Sequence, residues 1–522
     1  MFSLSSTFSR IRNSIQRSDV LTTIGICALY FVTRLLNILA LPIFSDEGIY
    51  IHWAMTAATD PAWRFISLID GKQPLQTWGT IPFIKLFPQS YLLDGRLFAV
   101  VTGFVALVGV MSLCGYLWGR KGYIIGAFLY IFTPYFLFYD RLALVDSAVN
   151  AVAIWIFFFS IVLVRTRRID VALLFGLVAG IGLLAKSSVL MFVFLASLAP
   201  LMTLNFQRYG HLFTVLRKQK KQIVDYMFLF ALVMGIGVAM YLTQKFFSPF
   251  FHYIAAKNLT FILSPAEWLS NPFQLWANNI VLVPTYVMWE SGWIPSVLGI
   301  LGIAQLIHKR DPLGYYVLAW IIFPFLFTVS FNKVLYPRYL VFFAGLLTIG
   351  ATSFLVHLST SYRTKISASV LVFLIAICYP QWFAVERISL PEIDRGQYIV
   401  GGTAVWGAEE LIQIVRQPTI DGRKSIVLAE GNFGLIADVL EVFKRPGDNI
   451  EIWGRWPLNE SDILEVQKEV GKAHVFVVFS HRKEFPVEWE HSLLERLRVF
   501  GKPGVEDGEK VYLFGVKPLK KI

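Results

Sequence analysis

Apolar residues come in long runs along most of the chain, separated by short charged clusters. The runs are Val20–Leu41, Leu97–Trp118, Tyr123–Tyr139, Ala148–Val164, Val171–Leu184, Val189–Leu204, Tyr226–Phe247, Tyr286–Ile307, Tyr315–Ser330, Tyr339–Val356 and Ile366–Ala384. A helix needs about twenty apolar residues to cross a bilayer, so the pattern predicts an α-helical polytopic membrane protein with about eleven transmembrane helices. No small-residue cleavage site follows the first run, which is therefore expected to stay in place with residues 1–19 in the cytoplasm. Residues 20–385 form the expected membrane domain, with a first external loop over 42–93 in which Ile49, Tyr50, Trp53, Ala54 and Ala57 predict an amphipathic helix lying at the membrane interface. After residue 385 the pattern changes. Ser425–Ala429, Ile450–Trp453, His474–Ser480 and Val511–Val516 read as strands, and Ala408–Arg416, Leu435–Lys444, Asp462–Val470 and Trp489–Val499 as helices, predicting a C-terminal α/β domain over 386–522.

Charge orients the chain. Only 16% of residues are charged and 56% are hydrophobic, against about 25% charged in soluble domains. The net charge of +12 is unevenly spread: residues 1–385 carry 28 Lys and Arg against 13 Asp and Glu, and residues 386–522 carry 19 against 22. A basic excess confined to the hydrophobic part points to the positive-inside rule and away from nucleic acid. Alternate loops carry Arg120-Lys121, Arg165 with Arg167-Arg168, Arg217 through Lys221, Lys309-Arg310, and Arg363 with Lys365. Those loops are expected in the cytoplasm, which leaves the first loop and the C-terminal domain extracytoplasmic, with a plasma or inner membrane as the expected location. Cys27, Cys114 and Cys378 lie in apolar runs and give no disulfide framework.

The remaining charges gather on the expected outer side. Asp46 and Glu47 follow the first span, and Asp70-Gly71-Lys72 lies in the same loop. Arg34 sits in the first span, Asp94 and Arg96 at the outer end of the second, Asp140, Arg141 and Asp146 between the third and fourth, Lys186 after the fifth, and Lys333, Tyr336, Arg338 and Tyr339 before the tenth. Charge within a membrane is expensive and usually faces a cavity or a partner. Basic groups beside carboxylates suit a phosphate headgroup and an acceptor hydroxyl. Each residue also has a structural alternative. Asp46 reads equally as a helix cap, Arg34, Arg96, Arg141 and Lys186 as snorkelling cations, Asp140, Arg141 and Asp146 as an ion-pair cluster, and Tyr336 and Tyr339 as aromatic-belt residues. The Gly401-Gly402 pair reads as a loop or helix cap rather than a phosphate cradle.

The order of these motifs resembles family 39 glycosyltransferases of the GT-C type, which include protein O-mannosyltransferases and aminoarabinose transferases. Arg34, Pro42 and Asp46-Glu47 are similar to that family's first span and loop. Gly71-Lys72-Gln73-Pro74-Leu75 resembles its Pro-Pro-Leu turn, with Gln73 in place of the first Pro. Asp94-Gly95-Arg96, Arg141 through Asp146, Gly182 through Lys186 and Tyr336-Pro337-Arg338-Tyr339 resemble later motifs. The resemblance implies an inverting transfer from a polyprenyl-phosphate sugar to an acceptor hydroxyl on a lipid, protein or glycan, without a catalytic metal or cofactor. It implies catalytic roles for Asp46, as base, and Glu47, and donor-phosphate contacts from Arg96, Lys186, Arg338 and Lys72. Arg34, Tyr50, Arg141, Asp146, Tyr336 and Tyr339 would support them. A transporter or lipid flippase with an external sensor domain is the competing class, although no duplicated halves are visible and the charges crowd one side rather than the midplane.

Overall fold

The computed structural model describes residues 17–203, 212–431, 434–482, 486–504 and 508–518, so most of the expected cytoplasmic N-terminus lies outside the described residues. Helix α1 (Arg17–Leu35) leads through β1 (Ile43–Phe44) into α2 (Ser45–Thr59), and α3 (Leu75–Leu86) closes the first loop. The next helix, α4, runs from Tyr91 to Phe132 but breaks at Gly119. In one straight helix Cys114 and Gly126 would stand about 18 Å apart along the axis. Here a Cβ on Gly126 would lie 2.9 Å from Cys114 Sγ, so the chain turns back at Gly119 and the two halves pack together, as the two separate runs predict.

The membrane domain continues through α5 (Pro134–Tyr139), α6 (Asp146–Thr166), α7 (Ile169–Ala185), α8 (Val189–Ala196), α9 (Leu212–Phe247) and α10 (Tyr253–Phe261). The single run predicted at Tyr286–Ile307 is instead a bent pair, α11 (Trp276–Ser291) and α12 (Trp293–His308), which meet at 112°. Then come α13 (Pro312–Phe331), α14 (Val341–His357) and α15 (Thr360–Phe383). Among the described residues six helices are long and apolar enough to cross a membrane, or seven if the bent pair is one span. This is a multi-pass membrane protein. Large apolar side chains such as Phe228, Phe246 and Val372 remain exposed on its surface, as lipid-facing positions require.

The C-terminal part is α/β. A two-stranded ladder joins it to the first loop, β1 pairing antiparallel with β2 (Ala404–Val405). After α16 (Ala408–Arg416), strands β3 (Ser425–Glu430), β4 (Ile450–Arg455), β5 (His474–Phe479), β6 (Leu494–Phe500) and β7 (Val511–Val516) form one sheet in the order β4-β3-β5-β7-β6. Strands β3, β4 and β5 are parallel, whereas β7 runs against both β5 and β6. Helix α17 (Ile436–Val442) packs with α16 on one face of the sheet and α18 (Glu460–Gln467) on the other. The predicted helix Trp489–Val499 is replaced by a short helix, Val487–Ser492, followed by β6. Strand β6 is an edge strand with five consecutive exposed positions, Glu495 through Val499, so it lacks the alternation that marks a half-buried strand.

Helix α2 forms as predicted, but it does not lie on a lipid surface. Ile49, Tyr50, Trp53, Ala54 and Ala57 are all buried. Its other side is covered by α17: a Cβ on Gly48 would come within 3.1 Å of the Val439 backbone, and His52 Nδ1 lies 2.7 Å from Asp438 Oδ1. The helix is sandwiched between the two parts of the protein.

Three buried arginines lock this arrangement. Arg96 and Glu47 are fully buried and doubly hydrogen-bonded at 2.9 Å. Arg96 also donates to the carbonyls of Ile38, Leu41 and Pro42, so its five N–H groups are all used. Glu47 in turn accepts the N–H of Phe44, capping α2, and of Ala143. Arg34 pairs with Asp140 at 3.3 Å, where Tyr30, Tyr130 and Ser147 also donate to the carboxylate. Arg141 donates to the carbonyls of Leu36, Asn37 and Gln381.

Breaking a buried ion pair from one side strands the other charge, at a cost of roughly 3–5 kcal/mol, whereas exposed pairs contribute ~0–1 kcal/mol. Arg96→Met is expected to lower the thermal midpoint of the purified protein strongly, and Arg168→Met, whose pair with Asp170 is exposed, only slightly. Equal midpoints for the two variants would refute the structural assignment of Arg96.

Candidate functional site

The site is built on the first turn of α2. Phe44 is the last non-helical residue and Glu47 turns inward to cap it, so Asp46, one position earlier on the helix, points out of the lock. The positive end of the helix dipole favours its charge. Asp46 Oδ2 lies 2.9 Å from an Arg338 nitrogen and Oδ1 lies 3.5 Å from Lys72 Nζ.

Each cation arrives on a stiff turn. Residues Ile66–Asp70 form a 3₁₀ turn that ends at Gly71, whose φ of 64° is left-handed. A Cβ there would meet the Tyr253 carbonyl oxygen at 2.5 Å, so only glycine fits. Lys72 follows at once, between the Tyr50 and Trp53 rings at 5.0 and 5.7 Å. Asp70 holds Lys72 at 3.5 Å and Lys257 at 2.6 Å. Arg338 sits in the 3₁₀ turn Pro337–Leu340, with the Tyr135 hydroxyl donating to the Pro337 carbonyl at 2.5 Å. The guanidinium lies 5.1–5.5 Å from the rings of Tyr336, Phe44 and Tyr339. Lys186, just past α7, binds Asp146 at 2.8 Å and lies 4.2 Å from the Tyr339 ring.

Four cations, Lys72, Lys186, Lys257 and Arg338, therefore meet three carboxylates, Asp46, Asp70 and Asp146. The cluster keeps a positive surplus. Burial pushes the Asp46 carboxyl up, but Lys72 and then Arg338 more than offset this, and its pKa falls to about 2. Asp46 is a carboxylate at any physiological pH, and its side chain keeps 26% of its exposure.

The charges expected at one cavity thus divide into two sets. Asp46, Lys72, Arg338, Tyr50, Tyr336 and Tyr339 come together, with Lys186 and Asp146 beside them. Arg34, Glu47, Arg96 and Arg141 do not join them. Arg96 has no N–H left for a phosphate, which corrects its expected role, and Glu47, with no exposed surface, braces the loop rather than facing a reactant. Lys257 and Asp70 were not anticipated as a pair; Lys257 lies far along the chain and carries no local signal. The contact between Asp394 and the Tyr139 hydroxyl, which ties the C-terminal part to α5, was equally invisible. A cavity of about 280 Å³ opens elsewhere, where residues 39–43 and 89–92 meet residues 405–409 and 442–445, and none of the clustered charges lines it.

No protein-family model matches the chain, and no curated protein matches its sequence. Solved structures do resemble it. ArnT from Cupriavidus metallidurans in the apo state superposes with a TM-score of 0.58 at 14% identity, covering 95% of this chain and 97% of that one. The same protein bound to undecaprenyl phosphate gives 0.56 at 13% identity, with the same coverage. The archaeal oligosaccharyltransferase AglB from Archaeoglobus fulgidus, in complex with an inhibitory peptide and a dolichol-phosphate, gives 0.51 at 12% identity, covering 96% of this chain and 74% of that one. The fold is the GT-C fold, with its C-terminal α/β part included in the match to ArnT.

Gly71→Ala tests the turn that delivers Lys72. A left-handed backbone costs an L-residue roughly 1–2 kcal/mol, and here the methyl would also strike a carbonyl. Gly422 has the same left-handed backbone, with φ 86° and ψ −7°, and open space around it, so Gly422→Ala should lower the thermal midpoint less than Gly71→Ala. The reverse order would refute the close approach at Tyr253.

Proposed function

We propose that the protein is a membrane glycosyltransferase that moves a sugar from a polyprenyl-phosphate donor to an acceptor hydroxyl on the extracytoplasmic side, using residues 20–385 as its catalytic domain. The observation that carries this reading is Asp46, a part-exposed carboxylate held between Arg338 and Lys72 on a GT-C fold. The fold neighbours described as bound to undecaprenyl phosphate or in complex with a dolichol-phosphate support a lipid-phosphate donor here.

Asp46 takes the proton of the acceptor O–H as that oxygen attacks the anomeric carbon. The anomeric C–O bond breaks with inversion, and its electron pair leaves with the polyprenyl phosphate. Arg338, Lys72 and the neighbouring Lys186 stabilise the charge that develops on that phosphate. A carboxylate with a pKa of about 2 is a weak base. The donor corrects this: as its phosphate takes up Lys72 and Arg338, Asp46 loses the two charges that depress it, and its basicity rises where the acceptor binds. Tyr50, Tyr336 and Tyr339 pack around the cations and keep them aimed at the phosphate.

Asp46→Asn should cut transfer by roughly 10²–10⁴-fold, measured with purified protein, polyprenyl-phosphate sugars and mass spectrometry of the products. Undecaprenyl phosphate should still bind, because Arg338 and Lys72 are then free for it. Near-normal turnover would remove Asp46 as the base. Arg338→Met should instead weaken undecaprenyl phosphate binding at least about tenfold, an effect comparable to losing a charge-assisted contact; unchanged affinity would dismiss the phosphate role.

The pH dependence follows from the depressed pKa. The base form of Asp46 in free enzyme is complete well above pH 2 and is lost only as pH falls toward that value. Because kcat/KM reports the free enzyme and kcat the bound complex, Asp46 should give no acidic limb in kcat/KM above about pH 4, while the limb in kcat moves upward. An acidic limb at higher pH in kcat/KM than in kcat would contradict the exchange of cations.

A further inference from the structure

Strands β3 and β5 lie side by side and parallel, but the chain leaves β3 through α17 on one face and reaches β5 from α18 on the other. Such a switch point opens a crevice at the carboxyl ends of the strands, where open α/β sheets bind ligands. Glu430 is the last residue of β3, and Ser480-His481-Arg482 follows β5.

The polar groups there are incompletely used. Glu430 is 3% exposed; one carboxylate oxygen takes the Arg482 guanidinium at 2.7 Å, and Oε2 has no partner among the described residues. His481 Nδ1 is 2.7 Å from the Ser480 hydroxyl, and its buried Nε2 likewise has no partner there. A buried polar atom without a partner costs free energy and calls for an occupant. Gly402 lies hard against these groups, which lets its loop close over the strand ends. A Cβ at that position would meet Glu509 Oε2 at 2.6 Å and His481 Cδ2 at 2.7 Å. Lys502, 5% exposed, holds the Gly401 carbonyl at 2.5 Å and fixes that loop. Beside the His481 ring, 6.3 Å between centroids, stands Trp456, which is 55% exposed although it is a large aromatic residue.

The geometry points to a saccharide-binding site at this crevice, with Trp456 as the stacking face and Glu430, His481 and Glu509 as partners for ring hydroxyls. The chemistry favours this occupant over an anion because the charges balance. Arg482 pairs with Glu430, and Lys502, bonded to the Gly401 carbonyl, feels the Glu509 carboxylate, so no net positive charge is left over for a phosphate. The carboxylate oxygens and the imidazole nitrogen receive O–H groups while the remaining N–H groups of Arg482 and Lys502 donate, a mixture that suits hydroxyls, which do both. An exposed indole beside them fits the C–H face of a sugar ring, which is flat and weakly apolar. Burial pushes the His481 imidazole below its ordinary pKa, consistent with a neutral ring that pairs with a hydroxyl. The site stands apart from Asp46 and does not depend on the transfer reaction. It is nonetheless linked to it, since Gly401-Gly402 continues into Thr403, whose carbonyl accepts the backbone N–H of Ser45 at 3.0 Å.

The test uses the full chain in detergent against immobilised hexose, amino-sugar and pentose oligosaccharides, followed by calorimetry on any saccharide that binds, with inorganic phosphate as a parallel probe. At least one saccharide class should bind. Trp456→Ala and Glu430→Gln should each weaken it tenfold or more, while Asp46→Asn should leave it within twofold. Thermal midpoints check that the variants are folded; if Glu430→Gln is not, the exposed Trp456 and Glu509→Gln carry the comparison. Binding of phosphate with no saccharide, absence of any saccharide binding, or saccharide binding that Trp456→Ala leaves unchanged would each overturn the site. Loss of binding in Asp46→Asn would move it to the membrane domain.

Discussion

The pair of Arg96 and Glu47 is the constraint from which the site takes its form. Two ions with no exposed surface are affordable only because every N–H of the guanidinium is met and the carboxylate accepts two backbone N–H groups besides. Those partners come from the end of the first span, the start of α2 and the turn before α6. One interaction therefore fixes how three separate segments meet. It also fixes a rotation. Successive side chains on a helix diverge by about 100°, so anchoring Glu47 inward compels Asp46 to face another way, toward Lys72 and Arg338. Adjacent carboxylates of similar chemistry end in opposite environments because the helix allows only one of them to enter the lock.

The second set of charges has a different character. Asp46, Lys72 and Arg338 are held by side chains that keep some contact with solvent, and the cations lie against aromatic faces instead of being saturated by carbonyls. Aromatic contact orients a cation without consuming its hydrogen-bonding capacity. Such cations can change partners, which a cation bonded like Arg96 cannot do. The planar fork of Arg338 and the point charge of Lys72 are also complementary means of meeting a tetrahedral anion. This difference in hydrogen-bond saturation, more than charge or position in the chain, separates residues that brace the protein from residues that can act.

That difference explains what the sequence disclosed and what it hid. Long apolar runs map onto helices because lipid imposes one local solution on the backbone, and the hairpin at Gly119 follows from Arg120-Lys121 interrupting two such runs. The charges between and at the ends of the apolar runs were visible as anomalies. Their division was not, because the partners of Arg96 are carbonyls of residues 38–42 and those of Arg141 belong to residues 36, 37 and 381. A carbonyl acceptor carries no mark in a sequence. Helix α2 was legible as amphipathic, but covering its second face requires α17, nearly four hundred residues away. Strand β6 failed for the opposite reason: solvent at a sheet edge removes the alternation by which a strand is recognised, and Leu493, Leu494 and Leu497 fall at helical spacing.

The C-terminal domain is consequently part of the site's support rather than an appendage. Gly48 has no room for a side chain because α17 packs on it, and Ser45, immediately before Asp46, is held by the Thr403 carbonyl through both its backbone N–H and its hydroxyl. The membrane domain anchors α2 from one side through Arg96, and the C-terminal domain anchors it from the other through β2, Thr403 and Asp438. A shift of the C-terminal domain would have to move β1 or break its ladder, and either change would be felt at the first turn of α2. The position of Asp46 is therefore set jointly by a buried ion pair in the membrane domain and a backbone ladder to the C-terminal one.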